Sequence, residues 1–134
     1  MFGSLNTSAS ALVAQRTRLE VIAANIANQN SIYNAKGEYD PYRRRIAVFA
    51  PGDPDSGTDQ GVHVREIMID QSPFARRLDE DHPLADKDGY VYYPNISGPM
   101  EQINALEASR AYEANITAAE ATKAMLRNTL RLLA

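Results

Sequence analysis

At 134 residues the chain has room for one domain, or for one small domain with extended arms. Hydrophobic residues make up 44% and charged residues 23%, which excludes global disorder, and a net charge of −3 argues against nonspecific nucleic-acid binding. The absence of cysteine excludes disulfides, thiol catalysis and cysteine-based metal sites.

The charge is uneven along the chain. Residues 1–45 carry six basic and three acidic groups, residues 46–98 four and ten, and residues 99–134 four and four. The N-terminus lacks the basic and continuous apolar regions of an ordinary secretory signal. No run approaches the 18 apolar residues of a membrane span, so direct membrane insertion is not expected.

Residues 4–28 predict the first helix. Leu5, Ala9, Leu12, Leu19, Ile22 and Ile26 fall on one face in steps of three, four and seven. Arg16 interrupts the row, and its aliphatic stem is expected to lie along the seam. Ser, Thr and Asn crowd the first turns and form helices weakly, so these turns are expected to fray in an isolated monomer. An ordinary amphipathic helix on a globular core is the alternative. Asn25 and Asn28 share a face at the helix exit, where an amide bonds free carbonyls and tolerates a left-handed turn.

Residues 30–45 are polar and broken at Lys36-Gly37 and Asp40-Pro41. Arg43, Arg44 and Arg45 form a basic cluster. It reads as a solvated or subunit-pairing patch with the acidic middle region as its complement, rather than as a nucleic-acid site. Residues 42–49 and 62–69 alternate as strands. Ile67 and Ile69 resume on the opposite parity from Val62 and Val64, which predicts a bulge near Arg65-Glu66. Residues 51–61 predict a loop, and residues 70–89 a mostly polar stretch. Acidic residues near His82 match no strong metal-ligand spacing. Tyr90 to Asn95 reads as a short aromatic strand stopped at Pro94. The middle is thus a small, mainly β module, marginal alone.

Residues 100–133 predict one long helix, with Pro99 suited to its first turn. Ala105, Ser109, Tyr112, Ile116, Ala119, Lys123, Leu126, Leu130 and Leu133 alternate in steps of four and three, the spacing of a coiled-coil seam. Ala111, Ala118, Met125 and Leu132 widen the apolar face. Such a helix is roughly 50 Å long, against a diameter on the order of 36 Å for a compact chain of this size. Its seam needs a partner, and only the N-terminal helix is available within the chain.

The expected fold is therefore α+β. Two long terminal helices (1–30 and 99–134) pack as a coiled-coil-like pair around a β-rich insert (31–98). No nucleophile motif, phosphate loop or metal spacing is present, so neither an enzyme nor a cofactor is expected. A cytoplasmic coiled-coil adaptor or export-chaperone-like protein would use the same helices for closed dimerisation.

The segment LEVIAANIANQNSIYNAKGEYDPYRRR resembles the N-terminal signature of the flagellar rod and hook protein family, with its Asn-x-Ala-Asn element ending the first helix. DGYVYYPNIS and NALEASRAYEANITAAEATKAML resemble its proximal-rod branch. The similarity runs through most of the chain. Ser31 stands near where the family usually has threonine, and GEYD replaces a more glycine-rich form. The resemblance implies a structural subunit of the bacterial flagellar basal body, exported by the flagellar type III apparatus without a cleaved signal. The helices would form an inner tube and the insert an outer layer. Implied partners are further copies, the rod proteins FlgB, FlgF and FlgG, and the rod-base protein FliE. The assembly motif carried onto this chain comprises Asn25, Ala27, Asn28, Tyr42, Arg43 and Arg44 at the helix exit. Gly89, Tyr90, Pro94 and Asn95 mark the insert, and Ser109, Arg110, Tyr112, Glu113 and Asn115 the last helix. Arg110 and Glu113 are spaced to pair, and Tyr112 reads as a knob among small residues.

Overall fold

Glycine and proline are absent between Met100 and Ala134, and among residues 4–27 as well, so two uninterrupted helices bracket the chain. A computed structural model describes residues 2–134. The elements are α1 (Phe2–Ala27), β1 (Arg45–Asp53), β2 (Thr58–Ile69), β3 (Ala75–Leu78), β4 (Tyr90–Tyr93) and α2 (Gly98–Leu133). The architecture is α+β, with a small antiparallel module between two long helices.

The helices run antiparallel. Ser4 meets Thr122 at 3.5 Å, Arg18 meets Glu107 at 3.5 Å and Asn25 meets Glu101 at 3.4 Å. This register places the described start of α1 opposite about residue 124. The last ten or so residues of α2 overrun it by roughly 15 Å.

The most shielded row of α2 is Glu101, Ala105, Ala108, Tyr112, Asn115, Ala119, Thr122 and Leu126. It keeps the expected heptad spacing and shares Ala105, Tyr112, Ala119 and Leu126 with the expected row, but takes Ala108, Asn115 and Thr122 in place of Ser109, Ile116 and Lys123. Asn115 Nδ2 donates to the Ala111 carbonyl at 2.8 Å, and the Thr122 hydroxyl to that of Ala118 at 3.0 Å. Polar side chains satisfied on their own helix can face a neighbour at little cost. A criterion based on hydrophobicity alone passes over them.

In α1, Ile22 is buried, Leu5, Leu12, Leu19 and Ile26 are half-buried, and Ala9 is exposed. Arg16 does not follow the seam. It points to solvent and pairs with Glu20 at 3.3 Å, while Arg18 reaches across to α2. The early turns are helical from Phe2. Thr7, Ser10 and Thr17 return their hydroxyls to carbonyls at Gly3, Thr7 and Val13.

β1 and β2 form a hairpin whose register shifts at Arg65, the expected bulge: Val48 faces Glu66, and Phe49 faces Val64. Strand pairing continues past Phe49, so the expected 51–61 loop contracts to the turn 54–57. There Asp53 accepts from Asp55 N–H at 3.0 Å and from the Ser56 hydroxyl at 2.6 Å. β3 pairs antiparallel with β4 and lies within the stretch 70–89, which its mostly polar composition does not mark as a strand. Its Arg76 and Arg77 cover Tyr90 and Tyr93 at 4.8 and 4.2 Å, so its stability comes from cross-strand stacking that hydropathy does not register.

The hairpin leans on α1. Val62 N–H donates to the Ser10 hydroxyl at 3.1 Å, and Gly61 (φ +89°) sits so close that a Cβ there would meet Ser10 Oγ at 2.7 Å. The apolar core is thin: among the described residues it consists of Ala14, Val21, Ile22, Ile32, Val91 and Ala108, with Pro94 buried as well.

Candidate functional site

Where the exit of α1, the entry of β1 and the first turn of α2 converge, the molecule buries a polar joint. Asn25 is 1% exposed and Glu101 2%. Asn25 clasps the backbone of Arg45 from both sides. Its Nδ2 donates to the Arg45 carbonyl at 2.8 Å, and its Oδ1 accepts the Arg45 N–H at 3.0 Å. An amide supplies the donor and acceptor that a strand neighbour would. The Tyr42 hydroxyl donates to the same Oδ1 at 3.4 Å. Nδ2 also approaches Glu101 Oε2 at 3.4 Å, and Glu101 Oε1 accepts from Arg44 Nε. A carboxylate this deep is tolerated because a guanidinium and an amide hold it.

Asn28 performs the helix-terminating task expected of these amides. Its Nδ2 donates to the Ala24 carbonyl at 2.8 Å, and its Oδ1 accepts the Ser31 hydroxyl at 3.1 Å. Ser31 thus supplies the hydroxyl at the position where the resemblance expects threonine nearby. Ala27 is exposed and ends α1.

The three arginines do not form a common patch. Arg43 stacks over Phe74 at 4.2 Å, Arg44 engages Glu101, and Arg45 lies over Tyr42 at 5.5 Å. Within the subunit their partners are two aromatic rings and Glu101 of α2, and the middle region contributes as well: Arg43 also donates to the Asp70 and Ser72 carbonyls at 3.4 Å. Glu101 was legible only as an acidic residue in the first turn of a helix. Its partners lie 57 and 76 residues away, beyond any local pattern.

In the insert, Gly89 takes φ +84° in a turn where Asp86 Oδ1 accepts from both Asp88 and Tyr90 N–H at 2.9 Å. Tyr90 lies under Arg76, Pro94 is buried, and Asn95 is exposed beside Arg43 and Phe74. The Tyr39 hydroxyl bridges both backbone groups of Tyr92, donating at 3.1 Å and accepting at 2.8 Å.

On α2, Ser109, Tyr112 and Asn115 are half-buried, whereas Arg110 and Glu113 are exposed. Arg110 and Glu113 form no ion pair; in full solvent the gain is too small to fix two long side chains. Ile116 and Leu126 are half-buried, while Leu130 and Leu133 are 59% and 80% exposed in the overrun. Met125 and Leu132 are uncovered beside them. Among the described residues no helix is long and apolar enough to cross a membrane.

The molecule thus joins a firmly clasped end to an open one. Residues 5–31 match the family model described as "Flagella basal body rod protein". The chain is similar to the flagellar basal-body rod protein FlgC of Borreliella burgdorferi, at 39% identity over 99% of this chain and 97% of the relative. It is also similar to FlgC of Bacillus subtilis, at 37% over 98% and 97%, and of Salmonella typhimurium, at 38% over 92% and 90%.

Proposed function

The chain belongs to the FlgC family of flagellar basal-body rod proteins, and from that premise we propose that it is a structural subunit of the proximal rod. It assembles helically, transmits torque and encloses the export channel. The observation that carries this is a match along almost the whole chain to relatives named as rod proteins. That match also favours the rod over a cytoplasmic adaptor.

The uncovered end of α2 supports the proposal physically. Repeated heterologous contacts that do not close on themselves build a helical tube, and they require surface that one subunit leaves open. The partners are further copies, FlgB, FlgF, FlgG and FliE, and delivery is by the flagellar type III export apparatus. The role is mechanical rather than catalytic. Within the proposed assembly motif, Asn25, Asn28, Tyr42 and Arg44 belong to the joint at the exit of α1, and Ser109, Tyr112 and Asn115 to the shielded side of α2. The joint holds a subunit's shape, and the α2 face meets the paired helix.

Purifying intact basal bodies tests this. The chain is expected to remain with the rod after the filament and hook are removed. Recovery only as a discrete soluble dimer, with none in the basal bodies, would overturn the proposal.

A further inference from the structure

We propose that the end of α2, residues 125–134, seats in the groove between α1 and the β1–β2 hairpin of a second copy of this chain. This rests on the subunit role above and names the surfaces that meet. The groove has a volume of about 660 Å³ and is walled by Ser10, Val13 and Thr17 on one side and Gly52, Val62 and Val64 on the other. It follows α1 from Gly3 to Thr17, roughly 21 Å of helix. Val13, the large apolar side chain of the α1 wall, is 66% exposed.

The overrun of α2 is about 15 Å long, short enough to lie within that length. Leu130 and Leu133 form its uncovered apolar row, which continues from the half-buried Leu126. Lys123, Arg127 and Arg131 recur every fourth residue beside that row, all exposed. Asp53 lines the groove, and Asp55 in the adjoining hairpin turn and Asp59 at the start of β2 stand near it in sequence. Among the described residues none of these six charges belongs to an ion pair. A basic helix end and an acidic hairpin tip beside the groove are thus both left without an ion-pair partner among the described residues. Complementary charges of this kind set orientation and register between copies.

The chain cannot fill its own groove. By the helix register Val13 stands opposite about Glu113, so Leu130 lies on the order of 25 Å further along a rigid helix. The occupant therefore comes from another molecule, and the charge match is met by this chain's own end.

The natural absence of cysteine makes a clean test. The Val13→Cys/Leu130→Cys variant is supplied as the only copy in cells, and isolated basal bodies are oxidised and run on a non-reducing gel. A disulfide requires Cα atoms within about 7 Å, so any link is intermolecular. Linked dimers and longer ladders of this chain are expected. Arg127→Glu with Arg131→Glu should cut their yield about tenfold, and adding Asp55→Lys with Asp59→Lys should restore most of it. Basal bodies that contain the variant but show no link, or links only to another protein, overturn this inference and leave the rod role standing. If the double variant fails to incorporate, the purified Val13→Cys and Leu130→Cys single variants are mixed at high concentration and oxidised. A mixed dimer upholds the docking even if the rod role fails, and its absence overturns the docking.

Discussion

Asn25 does the work of a strand neighbour with a side chain, because its amide sets a donor and an acceptor side by side on separate atoms. Asn25→Asp keeps the bond from Arg45 N–H, loses the donor to the Arg45 carbonyl, and sets a second carboxylate against Glu101. The variant should lose about 3 kcal/mol in urea unfolding, and adding Glu101→Gln should recover part of that, because the repulsion then vanishes. At the hairpin turn, the Ser56 hydroxyl and then the Asp55 N–H hold the Asp53 carboxyl below its ordinary 3.8. A carboxyl depressed by folding contributes stability that is present above its unfolded pKa and lost as pH falls through the folded one. NMR titration should therefore find Asp53 ionising below 3.8, Ser56→Ala should return it toward that value, and the turn should loosen below it. Asp70 is lowered similarly, chiefly by the Ser72 hydroxyl.

Between the two helices the contact is built from small and self-satisfied side chains, so single positions carry uneven weight. Gln15 Oε1 is buried without a hydrogen-bond partner, a standing cost in α1. Gln15→Met keeps the length and removes the orphaned acceptor, so it should raise stability by about 1 kcal/mol, visible as a higher Tm. Tyr112, half-buried on the inward row of α2, is the large ring in a stretch of alanines. Tyr112→Ala should leave expression intact and lower incorporation into basal bodies. Normal motility in a strain carrying only that variant would count against its role as a knob between helices.

At the scale of the molecule, the accessible surface is 9193 Å², whereas a compact monomer of this mass exposes about 7,000 Å². That excess belongs to a shape with a long projecting helix and a thin core. α1 and α2 comprise 26 and 36 residues, but the two ends of the pair differ in support. Glu101 and its partners anchor one end, and the other carries Leu130, Leu132 and Leu133 in solvent. Ordering a residue costs about 1–2 kcal/mol of backbone entropy, so helix lacking packing is the first to melt. Far-UV circular dichroism should show less helix in the isolated monomer than in the assembled state. Equal content in both would refute the coupling of order to polymerisation.

Periodicity, glycine and proline placement and alternating strands by themselves determined that two long helices flank a β insert. They also placed the bulge at Arg65, because these are local properties of backbone and side-chain spacing. Asn25 and Arg44 are singled out by the family resemblance instead, since spacing alone reads them as a polar helix end and a charged patch. Only the tertiary structure decided that Asn25 clasps Arg45 and that Glu101 closes the joint from the other terminal helix. The same holds for the row of α2 that turns inward: hydrogen bonds and close approach across dozens of residues leave no periodic trace. The open end of α2 is likewise a product of register, since it depends on where one helix stops against the other and not on how apolar either one is.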